Sequence, residues 1–382
     1  MEFLHKLSVA ALWAYGSLLP MHENRVVFSS YYGRSASDSP AAIAEALRER
    51  CPQAEIVWIL KDPGSVKLPE GVRAVAYDSP ERVLALSTAK VWVDNCRKGA
   101  HHKRKGQYYM QTWHGFALKR IEKDAGAALP PEYPAYARRD SEQCDLIVSN
   151  SSFMTKVYRS AFWYNGEIAE FGSPRNDVFF RPQGEKAGEV RDFFGVPRDR
   201  KLVLYAPTFR VDLGTEAYGL DPEPLLEACQ KRFGGDWSLL VRLHPNVDTK
   251  SGDLFSYDGN TVLDATKYPE MGDLLWGADL LITDYSSCMF DFALSGKPCL
   301  QFATDIAAYR NDRNFYFSLD ELPFPLAQSN EALALAVEHF DRDAYARRWE
   351  EFAKENGFRE DGHAAERCAD WIMDKLNEKG RA

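Results

Sequence analysis

Short hydrophobic runs recur along this chain and alternate with longer stretches in which apolar residues return at helical spacing. A short apolar run bounded by turn residues is typical of a buried strand. In the first half, such runs predict strands over residues 25–33, 54–60, 72–77, 91–93, 107–112, 146–150 and 168–172. Helices are predicted from Asp38 and from Ser79, each with Pro at an early position. Alternating strands and helices predict a mostly parallel sheet with helices on both faces.

The alternation restarts after a polar segment that contains several helix- and strand-breaking residues, 181–186. The second half predicts strands over residues 202–206, 237–243, 261–263, 280–283 and 298–302. Helices are predicted at 223–232, 271–276 and 288–295, and the tail 331–376 is mostly helical. We therefore expect two open α/β halves with a cleft between them. In sheets of this kind, ligands bind beyond the carboxyl ends of the strands.

The most apolar stretch of the sequence lies before the first predicted strand, at residues 4–19, and it ends at Pro20. It is shorter than the ~20 apolar residues needed to cross a bilayer. Its apolar residues have helical spacing, so residues 1–24 predict an N-terminal helix with two alternative roles. The helix either lies flat in a membrane interface, with Trp13 and Tyr15 at the level of the headgroups, or packs against the rest of the protein.

The composition is that of a globular protein, with 382 residues, 45% hydrophobic residues and a net charge of −9. The negative total argues against a general nucleic-acid-binding protein, whose affinity would depend on neutralising phosphates. The 7 cysteines are scattered without a CxxC pair, so the sequence predicts neither a zinc ribbon nor a disulfide framework. Free thiols are typical of a reducing cytosol.

Basic residues are concentrated in one segment, 97–123, although the chain as a whole is acidic. The segment contains Arg97, Lys98, Lys103, Arg104, Lys105, Lys119, Arg120 and Lys123, with Glu122 as its acidic residue. Such a cluster attracts phosphates or anionic lipid headgroups, each cation near a membrane contributing about 1 kcal/mol. Lys103, Arg104 and Lys105 are therefore candidates for membrane contact, with a solvated basic face as the alternative.

Four motifs with chemically active side chains stand where predicted strands end. They are His114-Gly115, the segment from Thr208 to Arg210, the pair Arg242 and His244, and Ser286-Ser287. Positions 242 and 244 share one face of a strand, and the two serines begin a predicted helix whose free N–H groups suit an anion. Together these groups provide counter-charge for a diphosphate without an acidic cluster for a metal, so neither a metal nor a cofactor is predicted. Taken singly, each motif also fits a turn, an ion pair or a helix cap.

Longer stretches around these motifs resemble the CDP-glycerol glycerophosphotransferase family of teichoic acid synthesis. The resemblance rests on residues 111–120, 172–177, 205–210, 242–245, 281–294 and 361–367. It implies a GT-B fold, with two Rossmann-like domains, a cleft between them and a helical C-terminal tail. The implied domains are residues 25–185, which would bind the acceptor, and residues 186–382, which would bind CDP-glycerol.

The resemblance also implies a reaction. Glycerol phosphate would pass from CDP-glycerol to a hydroxyl of an undecaprenyl-diphosphate-linked disaccharide, with release of CMP, at the cytoplasmic face of the bacterial cell membrane. His114 would act as the general base, and His244, the second catalytic candidate, would help to hold the diphosphate. The residues implied in substrate binding are Gly115, Pro174, Arg175, Thr208, Arg210, Arg242, Ser286, Ser287 and Asp291. Many members have Thr-Pro after His-Gly, where this chain has Phe116-Ala117, and that departure leaves the acceptor open.

The family contains both primases and polymerases. No large domain precedes the core, which begins near Arg25, and this favours the priming step over a polymerase of glycerol phosphate or another polyol phosphate. Two rivals come from other classes: a GT-B glycosyltransferase that uses a UDP-sugar, and a catalytically inactive protein that binds the lipid carrier. An anionic membrane surface is an expected partner and nucleic acid is not, while homo-oligomer formation is left open.

Overall fold

The structure, a computed structural model, describes residues 2–98, 102–182, 186–208, 218–243, 254–306 and 314–378. The strands are β1 His22–Ser29, β2 Glu55–Leu60, β3 Arg73–Ala76, β4 Ala89–Asp94, β5 Tyr108–Gln111, β6 Leu146–Val148, β7 Glu167–Ala169, β8 Lys201–Ala206, β9 Trp237–Val241, β10 Val262–Asp264, β11 Leu280–Thr283, β12 Cys299–Phe302 and β13 Leu326–Ala327. The helices are α1 Glu2–Leu18, α2 Asp38–Arg50, α3 Pro80–Thr88, α4 Tyr133–Gln143, α5 Ser152–Ala161, α6 Lys186–Phe194, α7 Pro222–Phe233, α8 Met271–Gly277, α9 Cys288–Ala293, α10 Asn330–Glu338, α11 Arg342–Asn356 and α12 Ala364–Asn377.

The strands form two sheets in which the described pairs are parallel. The first sheet has the order β3-β2-β1-β4-β5-β6-β7, and the second has the order β10-β9-β8-β11-β12-β13. In each sheet the first strand, β1 or β8, is central, the next two strands lie on one side of it, and the later strands lie on the other side. This is the order of doubly wound Rossmann-type sheets. The predicted α/β class with parallel sheets is confirmed, and the predicted strands differ from the observed ones by a few residues at their ends. The short edge strand β13 was not predicted.

Central strands are apolar on both faces because helices cover both sides of a parallel sheet. On one face of the first sheet, Val26 and Phe28 of β1 and Val91 and Val93 of β4 form a core with α2 and α12. The intervening Trp92 points to the opposite face, where its ring packs near that of Trp13 in α1. Each apolar run of the sequence therefore serves two layers of packing at once.

The chain divides into two compact units, and the division differs from the predicted domain boundary. Residues 1–114, 122–178 and 357–382 form the first unit, and residues 115–121 and 179–356 form the second. The C-terminal helix was expected with the second domain. It belongs to the first unit because the apolar face of α12, which includes Ala365, Cys368, Ala369 and Ile372, is part of the core of the first sheet.

Residues 172–177 tie the C-terminal helix to the first sheet. Gly172 adopts φ +94°, and a Cβ there would lie 2.7 Å from the carbonyl oxygen of Arg359, so the close approach requires glycine. The carboxylate of Asp177 accepts hydrogen bonds from the backbone N–H groups of Ala364 at 3.1 Å and Ala365 at 2.8 Å. Asp177 therefore satisfies donors at the free N-terminal end of α12.

Replacing Asp177 with alanine is expected to lower the free energy of unfolding of the first unit by about 1–2 kcal/mol, because the donors of α12 lose their acceptor. Urea denaturation followed by circular dichroism measures the change. Asp374→Ala is the matched control, since Asp374 is exposed on the same helix and surface substitutions usually change stability by less than about 0.5 kcal/mol. Equal stability of the two variants would contradict the capping role.

The N-terminal helix packs against the protein through one face. Trp13 is 6% exposed, and its ring centroid lies 6.2 Å from that of Trp92. A Cβ on Gly16 would lie 2.0 Å from the hydroxyl oxygen of Ser87, so the helix approaches α3 closely. Trp13 thus does not take the expected position among lipid headgroups, because burying its ring in the core removes more apolar surface from water.

The opposite face of α1 points outward, with Tyr15 55% and Leu18 85% exposed. Over the described parts of the chain, none of the helices combines the length and the apolar character needed to traverse a bilayer.

Much of the predicted basic cluster is neutralised by carboxylates, most of which lie outside the segment 97–123. The Arg97 side chain is buried between Glu122 and Asp140, and Lys98 pairs with Asp94. Lys103 pairs with Asp145. The Arg104 guanidinium donates to the carbonyl oxygens of Gly16, Leu19 and Ser87 at 3.2, 3.0 and 2.9 Å. It therefore caps the C-terminal ends of α1 and α3. Of the three cations predicted to contact the membrane, Lys105 is the one with an exposed side chain.

Candidate functional site

The first sheet brings the ends of three strands together at the point where its strand order reverses. β1 and β4 are neighbours there, and β5 lies beside β4. Ligands of doubly wound sheets bind in the crevice at such a switch point. Tyr31 follows β1, Asn95 follows β4, and His114 follows β5. The sheet topology therefore positions the predicted general base at the expected place.

A backbone carbonyl fixes the orientation and the tautomer of His114. Its Nδ1 lies 2.7 Å from the carbonyl oxygen of Asn95. A carbonyl oxygen only accepts hydrogen bonds, so Nδ1 carries the proton and, in the neutral ring, Nε2 carries the lone pair. The imidazole is consequently arranged to accept a proton at Nε2.

Burial keeps this imidazole neutral. It lowers the pKa of His114 below its ordinary value, because the protonated ring would lose hydration. The Asn95 carbonyl and the Asp38 carboxylate oppose the fall, and the Arg175 guanidinium adds to it. At neutral pH the ring is therefore a free base.

Arg175, one of the predicted substrate-binding residues, positions this loop. Its Nη1 donates to the carbonyl oxygen of His114 at 3.0 Å and to Asp38 Oδ2 at 2.8 Å. The hydroxyl of Tyr31 donates to the same carboxylate oxygen at 2.7 Å. Burial alone would raise the pKa of Asp38, but Arg175, Tyr31 and the N–H of Ser39 hold it below its ordinary range. The carboxylate is therefore ionised and links β1's loop to the loop that carries His114.

Aromatic stacking completes the support of the imidazole. The ring of Trp113 is stacked on that of His114, with centroids 4.2 Å apart and planes inclined by 26°. Trp113 holds φ +52°, an unfavourable value for a residue with a side chain, and its N–H donates to Gln111 Oε1 at 2.9 Å. Backbone strain of this kind persists only where the surroundings impose it, and it is typical of functional sites.

A buried ion-pair cluster lies behind the tryptophan. Arg97 donates to Glu122 Oε2 at 2.7 Å and to Asp140 Oδ2 at 3.0 Å, and all three side chains are buried. The Arg97 guanidinium carbon lies 4.6 Å from the ring centroid of Phe162 and 5.9 Å from that of Trp113. Burial alone would lower the pKa of Arg97, but the two carboxylates raise it overall, so the guanidinium stays protonated.

The second sheet has its own switch point, between β8 and β11. Thr208 follows β8, and its backbone N–H donates to Asp284 Oδ1 at 2.8 Å while its hydroxyl donates to the same atom at 2.6 Å. Asp284 follows β11 and is 1% exposed. This carboxylate therefore joins two predicted motifs and fixes the loop that leads to Ser286 and Ser287, whose side chains are partly exposed.

Arg242 is engaged with backbone groups on the neighbouring strand end. Its Nη1 donates to the carbonyl oxygens of Ala265 at 3.2 Å and Tyr268 at 2.6 Å. Burial lowers the pKa of this guanidinium, and the Glu270 carboxylate opposes the fall. The contacts indicate that Arg242 shapes the loop after β10, and through that loop the carboxyl edge of the sheet.

The remaining predicted site residues differ in whether the structure describes them and in how far they are buried. Arg210 and His244 lie outside the described residues. Pro174 and Asp291 are buried, the latter 4% exposed on α9. Gly115 adopts φ +135° directly after His114, a value that favours glycine.

The unusual residues after the His-Gly pair are core residues of the second unit. Phe116 is 1% exposed, and its ring centroid lies 4.6 Å from that of Phe290, 5.8 Å from that of Phe317 and 6.1 Å from that of Phe352. Ala117 is buried as well. Their burial indicates that packing in the second unit determines their identity.

Sequence reasoning missed Asn95 and Asp38 as members of the site. Asn95 directly follows β4, so the strand-end rule that singled out His114 also covers it. Asp38 instead begins α2, after the turn that follows β1, and that rule does not reach it. Within the described residues, no group of three or more His, Cys, Asp or Glu side chains could hold a metal ion.

Comparisons with known proteins find relatives in teichoic acid synthesis. A teichoic acid poly(glycerol phosphate) polymerase of Staphylococcus epidermidis is 33% identical over 330 residues, which cover 83% of this chain and 46% of that protein. A teichoic acid glycerol-phosphate transferase of Staphylococcus aureus is 30% identical over 373 residues, 94% of each chain. A structure of the wall teichoic acid polymerase TagF, obtained after a soak with CDPG, is 29% identical with a TM-score of 0.83 and covers 98% of both chains.

This chain spans about half the length of the poly(glycerol phosphate) polymerases of Staphylococcus epidermidis and Bacillus subtilis, since the match covers 46% of each. The match to a family profile, however, extends over nearly the whole chain. The profile described as CDP-Glycerol:Poly(glycerophosphate) glycerophosphotransferase matches residues 12–374. Together with the relative matched over 94% of both lengths, this shows that the chain belongs to the CDP-glycerol:poly(glycerophosphate) glycerophosphotransferase family.

Proposed function

We propose that this protein transfers glycerol phosphate from CDP-glycerol to a hydroxyl of an undecaprenyl-diphosphate-linked saccharide and releases CMP. The observation that carries the proposal is the His114 imidazole at the switch point of the first sheet, held by the Asn95 carbonyl with Nε2 as its basic nitrogen. Membership of the family supports the donor and the reaction class.

The reaction needs one proton acceptor. The acceptor hydroxyl gives its proton to Nε2 of His114 while its oxygen forms a bond to the β-phosphorus of CDP-glycerol. The bond between that phosphorus and the oxygen of CMP breaks, and CMP leaves with the bonding electrons. A neutral imidazole near the operating pH suits this role, and general bases of this kind contribute about 10²–10⁴-fold to the rate.

The second unit would hold the donor. Its switch point joins Thr208, Asp284 and the loop of Ser286 and Ser287, which offers hydroxyl and backbone donors to a diphosphate. Phosphoryl transfer depends mainly on positioning and on offsetting charge in this way. The soak of the structurally similar polymerase with CDPG supports a CDP-glycerol donor for this chain.

Priming is the step we favour, and two Bacillus relatives that are 31% identical to this chain are teichoic acid glycerol-phosphate primases. Polymerisation is the second candidate, since a poly(glycerol phosphate) polymerase has the higher identity, 33%. The number of units added to one acceptor separates the two.

A panel of donors tests the proposal. CMP release is measured with CDP-glycerol and CDP-ribitol, and UDP release with UDP-sugars, each with a lipid-linked disaccharide as acceptor. The proposal predicts that CDP-glycerol gives the highest kcat/KM. Preference for a UDP-sugar would replace it with a glycosyltransferase, and binding of the lipid carrier without turnover of any donor would indicate an inactive binding protein.

The action on a lipid-linked acceptor implies a site at the cytoplasmic face of the membrane, and α1 is the surface that suits it. Tyr15 and Leu18 project from its outer face, and the other exposed residues between positions 10 and 18 are Ala10, Ala11, Ala14 and Ser17. An exposed helix face without charge suits the boundary between headgroups and acyl chains. The exposed Lys105 adds attraction to anionic lipids.

Replacing both Tyr15 and Leu18 with glutamate is expected to weaken binding to phosphatidylglycerol vesicles roughly tenfold or more, because buried apolar surface is lost. Cosedimentation with the vesicles measures the effect. Leu335→Glu is the matched control, since Leu335 is 56% exposed on α10. If the double variant and the control sedimented like the unchanged protein, this helix face would not be the membrane contact. Point substitutions are preferable to deletion of the helix because Trp13 belongs to the core.

A further inference from the structure

Four tyrosines with partly exposed side chains have no part in the mechanism described above. They are Tyr32, Tyr77, Tyr133 and Tyr136, and we call them the tyrosine face. Tyr32 follows β1, Tyr77 follows β3, and the other two lie on the first turn of α4. All belong to the first unit.

The four tyrosines form two pairs. A Cβ on Gly33 would lie 2.8 Å from Cδ2 of Tyr77, so the Tyr77 ring packs on the backbone next to Tyr32. The ring centroids of Tyr133 and Tyr136 are 6.2 Å apart. The Tyr136 hydroxyl donates to the carbonyl oxygen of Arg97 at 2.8 Å, and the same segment carries Asn95, which accepts from the N–H of Tyr31, the residue before Tyr32. Both pairs of tyrosines therefore border the segment that follows β4.

This surface adjoins the general base. The N–H of Tyr31 donates to Asn95 Oδ1 at 2.9 Å, and the carbonyl of the same Asn95 holds His114 at 2.7 Å. The ring centroids of Tyr31 and His114 are 6.0 Å apart. Tyr32 is the next residue after Tyr31, so the tyrosine face begins beside the loop that holds His114.

Tyr32 is held in an unfavourable backbone conformation. Its φ of 58° and ψ of 37° lie in the left-handed region, and its side chain is 42% exposed. Glycine would adopt these angles without strain, and the exposed ring gives little packing in return. Tyr31, at φ 46°, shares the strain. A large ring kept at such a position is explained by contact with a ligand.

The chemistry of the face selects a class of ligand. Tyrosine combines a flat apolar ring with a hydroxyl that forms hydrogen bonds. Sugar rings offer the matching surface, with C–H groups on their faces and hydroxyls at their edges. Three of the hydroxyls already have protein partners, because Tyr133 donates to Glu122, Tyr136 to the Arg97 carbonyl and Tyr77 interacts with Arg82. These bonds fix the planes of the rings.

We propose that the tyrosine face binds the sugar rings of the acceptor saccharide and so directs its hydroxyl to Nε2 of His114. This rests on the proposed function, which is what brings a saccharide to His114. The cytosine of the donor, an aromatic ring that could also stack on tyrosine, is a distinct occupant that the test separates.

Direct binding tests the proposal without depending on turnover. The probe is the lipid-linked disaccharide diphosphate with a short alkyl chain in place of undecaprenyl, and calorimetry gives its Kd. Tyr32→Ala is expected to raise that Kd roughly three- to tenfold, as for loss of one aromatic contact. Tyr32→Phe should retain most of the affinity because the ring remains. Tyr257→Ala, at a partly buried tyrosine of the second unit, is the control and should match the unchanged protein.

Three outcomes would overturn the proposal: the unchanged protein does not bind the probe, Tyr32→Ala binds the probe equally well, or Tyr32→Ala weakens the binding of CDP-glycerol alone. If circular dichroism shows that Tyr32→Ala is unfolded, Tyr77→Ala is the second variant, and it is expected to weaken binding of the probe to a similar extent. Failure of the proposed function is distinguishable, because it is read from CMP release by the unchanged protein. Loss of probe binding in the variants would still support the tyrosine face if no donor were turned over.

Discussion

Replacing His114 with asparagine is expected to lower kcat for CMP release about 10²–10⁴-fold, the usual contribution of a general base. The asparagine amide retains a donor toward the Asn95 carbonyl, which His114 now contacts at 2.7 Å, but it does not accept a proton. The Kd for CDP-glycerol should change little, because the donor site that we propose lies in the second unit. Single-turnover measurements at saturating donor separate the chemical step from binding.

The control for this variant is His339→Asn, at an exposed histidine that follows α10. It should retain full turnover. A His114→Asn variant that retained near-full turnover would contradict the role of general base. A variant that lost donor affinity in proportion to turnover would instead assign His114 to binding.

The pH dependence follows from the same imidazole. Burial lowers the pKa of His114, so the ring is neutral, and able to accept a proton, at pH values below the ordinary histidine pKa of about 6.5. The acid limb of kcat/KM should therefore have its midpoint below that value. Asp38→Asn removes a carboxylate that opposes the fall in pKa and should move the midpoint further down. An unchanged or higher midpoint in this variant would contradict the electrostatic account.

The second large effect is on stability. Arg97→Met is expected to lower the free energy of unfolding of the first unit by about 3–5 kcal/mol, because Glu122 and Asp140 would be left buried without their cation. The pairs are 2.7 and 3.0 Å long in this protein, with side chains 1–2% exposed. Urea denaturation followed by tryptophan fluorescence measures the loss, since Trp113 lies beside the guanidinium.

Arg139→Met is the matched control for this substitution, because Arg139 is exposed on α4 and its loss uncovers no buried charge. A second comparison uses Glu122→Gln on the Arg97→Met background. Removing one of the two unpaired charges should recover part of the stability. If Arg97→Met were no less stable than Arg139→Met, the buried cluster would not be a determinant of the fold around Trp113.

The strands could be predicted from the sequence because each is a local apolar pattern. β11, predicted as residues 280–283, is observed as Leu280–Thr283. The division into units could not be predicted in the same way. The pattern of α12 shows that one face is apolar, but it does not say that this face packs with β1 through Cys368 and Ile372. Phe116 likewise gives no local sign that it lies in the core of the second unit.

The site was predictable where a rule about strand ends applies, and not where distant residues meet. His114 and Thr208 stand at strand ends that the apolar pattern defines. The charge of residues 97–123 was overestimated because Asp140 and Asp145, which neutralise Arg97 and Lys103, come later in the chain. Arg175 was predicted to bind substrate, yet its observed partners are Asp38 and the carbonyl oxygen of His114, and neither contact has a sequence signal.

Transfer of glycerol phosphate to an acceptor by this protein is tested most directly by the mass of the product. The protein is incubated with CDP-glycerol and the lipid-linked disaccharide, and the acceptor is examined by mass spectrometry while CMP is quantified. Our proposal predicts an acceptor heavier by one glycerol phosphate, or by a series of such units if the protein polymerises, with one CMP released for each unit. An unmodified acceptor, with CMP either absent or formed by hydrolysis alone, would contradict it.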